Sequence, residues 1–234
     1  MTHTNHRRGD PASLRGEFIL LPRVDPAVRG QLCYGGPVAA RMRRLARIVA
    51  RHDPEALDVR IGDRQARYVR GAVGMEGFCA LGDLVDDGRL TQVRHVVLHG
   101  HDRLQAVLSE LAAADLGISI VVSGLFDDVF RVCRSAGLEP HSVNMSLGTW
   151  GRTDLLPEGE ELELTTMCGH GCVSLALVTH VANAAARGEL APDEAALELA
   201  RPCVCNIVDV GRAARLLRRV AGRRAERIAE GETA

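Results

Sequence analysis

The chain has 234 residues, 46% of them hydrophobic and 25% charged, with a formal net charge of −1. That suffices for one sizeable core and leaves no global field to attract nucleic acid or an anionic membrane. Aromatic residues make up only 3%, too few for a base-stacking surface, and no stretch approaches the ~18 unbroken apolar residues of a membrane span.

Residues 1–15 read as a flexible polar tail without the apolar centre of a signal peptide. Residues 16–26 read as a short strand ended by prolines. Residues 31–53 open on a glycine turn and become a helix, with Pro37 in the first turn and Val38, Met42, Leu45 and Val49 on one face. Residues 58–75 alternate like a hairpin around Gly62-Asp63, and a short helix is expected at Leu81–Val85 within the irregular stretch 76–92. Together, 16–92 form a less regular α+β part.

From residue 93 strands and helices alternate clearly. Strands are expected at 93–100, 118–124, 141–148 and 160–167, with helices at 102–117, 125–138 and 172–188 between and after them. Two further helices follow at 192–201 and 211–230. The pattern predicts an α/β fold, a mostly parallel sheet with βα units in residues 93–188 followed by a C-terminal helical segment. Residues 93–234 would be a second part, separate from or continuous with 16–92. The last helix is basic and amphipathic, with Ala213, Leu216, Leu217 and Val220 facing inwards and its arginines solvated.

In open α/β sheets ligands bind beyond the carboxyl ends of the strands. That edge would collect His99, His101 and Asp102, then Ser123, Asn144 and Ser146, then Cys168 and His170. His101 and His170 are the acid/base candidates. Ser123, Asn144 and Ser146 are candidates for substrate hydrogen bonding, and Arg152 for an anion clamp in the glycine-punctuated loop 146–157. Most have a plainer reading: Asp102 as a helix cap, His99-x-His101 as a chance pair, His170 as an exposed loop residue, Asn144 and Ser146 as satisfied strand ends, and the loop as a crossover.

Two cysteine clusters stand out: "CGHGC" at 168–172 and "PCVC" at 202–205. A cytoplasmic address follows from the absent signal peptide, and there an odd total of seven cysteines argues for metal ligation, catalysis or burial over disulfides. The helix between the clusters is about 24 Å long and its return leg about 15 Å, so, if the hairpin is antiparallel, a few extended residues let the second cluster return level with the first; the geometry permits a shared site without requiring it. Cys168 is expected at a helix N-terminus, which stabilises a thiolate, and an extended PCVC puts both sulfurs on one side. Cys168, Cys203 and Cys205 are therefore the expected ligands of an iron–sulfur cluster (4Fe–4S), with Cys172 as a fourth candidate. Three thiolates on four irons leave one iron open. This suits a lyase that hydrates, dehydrates or removes sulfur from a small anionic metabolite.

The spacing fits no common zinc or ferredoxin signature and so does not fix the metal, and zinc is the alternative. Two rival functions stand beside the lyase: a metal-free transferase or hydrolase with Cys168 as nucleophile, and a non-enzymatic zinc-binding or redox-sensing protein. Cys133 reads as core, Cys33 and Cys79 are unassigned, and a homodimer is left open. No glycine stretch matches a nucleotide-binding pattern.

Overall fold

Among the described residues five strands form one sheet in the order Arg64–Val69, Ala56–Ile61, Leu90–His99, Glu17–Arg23, Ser119–Ser123, and every ladder is antiparallel. The computed structural model describes residues 7–24, 37–145 and 148–230. In chain order its elements open with one helical turn, α1 (Pro11–Leu14), then β1 (Glu17–Arg23), α2 (Val38–Ala50), β2 (Ala56–Ile61) and β3 (Arg64–Val69). Next come α3 (Leu81–Val85), β4 (Leu90–His99), α4 (His101–Ala114), β5 (Ser119–Ser123) and α5 (Phe126–Ser135). A 3-10 turn at Thr153–Leu155 leads to α6 (Gly159–Thr166), α7 (Leu175–Ala186), α8 (Pro192–Ala200) and α9 (Val210–Ala229). The chain divides into two compact units, Leu14–Val143, and Asn144–Ala234 with the N-terminal segment up to Ser13.

The sheet unit follows its hydrophobic periodicities. Phe18, Leu20, Leu57, Val59, Val96 and Leu98 are buried on one face of the strands, where period-two alternation puts them. Met42, Leu45 and Val49 of α2, Leu104, Val107 and Leu111 of α4, and Val129 and Val132 of α5 join them in one core. Cys133 is buried there, and its burial pushes the thiol up from its ordinary value. Gly62, at φ +57, opens the two-residue loop between the paired Ile61 and Arg64. There a side chain would meet the left-handed penalty.

The expected parallel sheet does not form. β4, α4 and β5 are the expected strand, helix and strand, and both strands run in one direction. β1 lies between them, however, and pairs antiparallel with each. In the same way β4 separates β1 from β2. Two split β-α-β units thus interlock, each supplying the strand that separates the other's pair. Periodicity along 93–124 carries no trace of an insertion from upstream.

The third and fourth expected strands are also absent. The described part of 141–148 has no regular structure, and 160–167 is the helix α6. Its Glu-Leu alternation imitates a half-buried strand, but Glu163 is itself buried. Its carboxylate receives Arg212 Nη2 at 2.6 Å and the Ser13 hydroxyl. Glu160 and Glu161, at the positive end of the helix dipole, pair with Arg223 and Arg224 of α9. The glutamates therefore stabilise the helix from both sides.

In the helical unit α9 packs against α6, α7 and α8. Ala213, Leu216 and Leu217 are fully buried and Val220 is 2% exposed, so the inward stripe is the expected one. Asp209 caps α9 by accepting the Arg212 backbone N–H at 2.8 Å, and Ser174 caps α7 through the Leu177 N–H. Pro192 occupies the first position of α8, where its missing N–H costs nothing. Among the described residues no helix is long and apolar enough to cross a membrane.

Candidate metal centre

Two links between helices carry the cysteines. The first joins α6 to α7 through residues 167–174, and the second joins α8 to α9 through residues 201–209. α7 and α8 form a hairpin, so the links come back to the same end and meet. One donor atom each from Cys168, His170 and Cys205 lies within 4.8 Å of the others. The Cys203 and Cys205 sulfurs are 3.4 Å apart.

The local backbone differs from the expected one in two ways. Cys168 follows the C-terminus of α6 instead of preceding the N-terminus of α7, which begins at Leu175. It therefore gains nothing from a helix N-terminus. The PCVC segment is a turn, not an extended strand: the Asn206 N–H donates to Cys203 O at 3.0 Å, and Asn206 is left-handed at φ +54. The turn still brings both sulfurs together. In the first link, Gly169 (φ +72) and Gly171 (φ +70) let the chain fold His170 back towards the thiols.

The thiols polarise one another. The Cys203 sulfur receives hydrogen bonds from the thiols of Cys168 and Cys205 and from the N–H groups of Ile207 and Val208. Against its burial, these bonds hold it far below the ordinary thiol value, to about 3. Cys205 moves the other way, because donation to Cys168 and Cys203 and its burial favour the protonated form. Backbone N–H groups are thus aimed at the Cys203 sulfur, as they are at metal-bound thiolates. Cys172 is also raised, by burial and by its neighbour Cys168, against the Val204 N–H that it accepts.

Cys168 and Cys203 are 0% exposed and Cys205 is 5% exposed. Cys172 is half-buried, and His170 is more open than the buried thiols. All five donors belong to the helical unit.

The other candidates lie apart from this cluster in sequence or environment. His101 begins α4 in the sheet unit, where its Nε2 is 3.0 Å from Asp128 Oδ1 and from Arg131 Nη2. Asp128 and Arg131 are partners that the sequence reading omitted. Their signal was the pair of acidic residues in the first turn of α5, Asp127 and Asp128. Asp102 lies in the first turn of α4, whose N-cap is Gly100. Ser123 ends β5 in the same unit. Asn144 is exposed in irregular chain, and Arg152 is exposed and paired with Asp154. Ser146 and Cys33 lie outside the described residues. Cys79 is partly buried against the sheet core. With the third and fourth strands absent, the sheet-edge argument that joined these residues to Cys168 and His170 no longer holds.

No protein-family model, curated protein or solved structure matches the chain.

Proposed function

We propose that the protein binds one thiophilic metal ion, zinc in the first instance, through Cys168, Cys203, Cys205 and His170. In this reading the ion ties the α6–α7 link to the α8–α9 link. The observation that carries it is the convergence of three buried sulfurs and an imidazole from two distant segments, with donor atoms in near contact. Buried thiols without a metal pack as small apolar groups and do not require a histidine beside them.

Spacing favours one ion over a cluster. Zinc–sulfur bonds of about 2.3 Å give a tetrahedron with edges of about 3.8 Å. The 3.4 Å between Cys203 and Cys205 and the 4.8 Å bound on Cys168, His170 and Cys205 suit that size. A four-iron cluster puts each thiolate on its own iron and spreads the sulfurs further apart, so these spacings favour the single ion over the open-iron lyase. The Cys168 nucleophile loses support too, because its sulfur is fully buried and lies behind a helix C-terminus. His170 accordingly serves as the fourth ligand in place of a general acid or base. The site is closed, and its work is to bind and hold the metal.

Metal analysis of the protein purified under reducing conditions tests this. The expected result is one equivalent of zinc per chain, and cobalt substitution giving a tetrahedral spectrum with sulfur-to-cobalt charge transfer. Cys205→Ser should lose both. A chain that takes up neither zinc nor cobalt overturns the proposal, and a brown preparation containing acid-labile sulfide replaces the single ion with an iron–sulfur cluster.

A further inference from the structure

The two edges of the sheet are defended differently. Among the described residues β3 is outermost at one end of the strand order, and it carries Arg64 and Arg67. Charged side chains of this kind keep a sheet edge from pairing with another chain. β5 is outermost at the other end, reads Ser-Ile-Val-Val-Ser, and carries neither a charge nor a proline. None of its five residues is buried, and Val121 is 47% exposed. Ile120 and Val122 pack against the helix-covered core, so strand alternation turns Val121 to the opposite face.

This strand is also its own complement. A second copy laid antiparallel about Val121 sets Ser119 opposite Ser123, Ile120 opposite Val122, and Val121 opposite itself. Hydroxyls then meet at both ends, branched side chains meet on the core face, and no like charges are opposed. A two-fold axis normal to the sheet produces this register and keeps the helices of both copies on one side. Phe126 of α5 begins three residues beyond β5, is 39% exposed, and stacks on Phe130 with ring centroids 5.8 Å apart. Val129 and Val132 pack that helix on the same core, so the aromatic pair adds apolar surface on the helix side.

We propose that β5 is a pairing edge for a second copy of this chain, so that two sheet units join across a two-fold axis at Val121 into one continuous antiparallel sheet. The pairing gives the outward backbone groups of an outermost strand their partners and hides its exposed valine. The uncharged, self-complementary sequence selects a second copy over a partner of different chemistry. Five paired residues with one aromatic pair beside them cover less than the ~1,200 Å² of a standard interface, so the dimer dissociates in the micromolar range.

Sedimentation equilibrium of the full chain under reducing conditions, across the micromolar range, reads the assembly, and amide hydrogen exchange at both ends of that range locates it. The mass should rise from one chain to two, and the amides of residues 119–123 should exchange at least tenfold more slowly in the dimer. Val121→Arg sets two like charges face to face at the axis and should raise Kd at least tenfold. Val73→Arg, at another exposed valine of the same unit, should change Kd less than threefold. Circular dichroism checks that both variants fold, and the exchange measurement on the unsubstituted chain stands without them. A monomer at every concentration overturns the proposal. So does a dimer whose 119–123 amides stay unprotected or that folded Val121→Arg leaves intact, because the copies then meet elsewhere. Growth beyond two copies overturns it as well, since a two-fold pairing consumes the edge.

Discussion

Asp128 illustrates how a buried carboxylate is made affordable. It is 3% exposed, and burial raises the cost of its charge. The hydrogen bond from His101, the Gly16 N–H and the electrostatic attraction of His101 and Arg15 outweigh that cost, leaving the carboxyl below its ordinary 3.8. A depressed folded value means that the folded state binds the proton more weakly than the unfolded chain. The stabilisation is therefore complete above the ordinary value and disappears as pH falls through the folded one. Asp128→Asn should cost about 1–2 kcal/mol at neutral pH, because it weakens a charge-assisted hydrogen bond without opening a cavity. In urea titrations across pH, the gap between the variant and the parent should close below about pH 4. A gap independent of pH would mean that the charge contributes nothing.

At the scale of elements, α6 and α9 are joined by a salt bridge that the N-terminal segment covers. Arg212 is 1% exposed, and its Nη2 lies 2.6 Å from Glu163 and 3.3 Å from Arg8 O. The Arg7 N–H reaches Thr166 O at 2.7 Å and the Asp10 N–H reaches Glu163, so residues 7–13 also satisfy the last turn of α6, just before Cys168. Gly9 permits the approach: a Cβ there would stand 2.8 Å from Arg212 Nη2 and 2.9 Å from Glu163 Oε2. Arg212→Met should cost about 3–5 kcal/mol, since it leaves a buried carboxylate unpaired. Adding Glu163→Leu should recover part of that loss, as read from chemical denaturation of both variants. A loss in the double variant equal to the sum of the Arg212→Met and Glu163→Leu single losses would show that the two side chains are not energetically coupled. This pairing also explains why residues 160–167 imitate a strand: Glu163 falls on the polar phase of a two-residue alternation, and its burial is tolerable because of partners far along the chain, chiefly Arg212, 49 residues away, and Ser13.

For the molecule as a whole, the helical unit has a metal ion as its cross-brace in the proposed reading. The two links carry no regular hydrogen-bonded structure of their own, so a ligand bound there stabilises the folded state by mass action. Zinc at about a hundred times its Kd should add about 2.7 kcal/mol to unfolding of this unit. Calorimetry with and without a chelator measures this, and the transition of the sheet unit should move much less. Equal shifts in both transitions, or none in either, would contradict a brace confined to the helical unit.

What the sequence determined by itself was local. The helices α2, α3, α4, α5 and α7 to α9 and the β2–β3 hairpin follow from periodicity, caps and turn residues, and the helix lengths permit the two cysteine-bearing links to meet without requiring it. These depend on neighbours a few positions apart. Tertiary structure alone decided that β1 enters between β4 and β5, that 160–167 coils around a buried glutamate, and that His170 joins the thiols. Each of these is set by a partner far along the chain, and neither hydrogen-bond pairing between strands nor charge pairing in a core leaves a periodic mark on either partner.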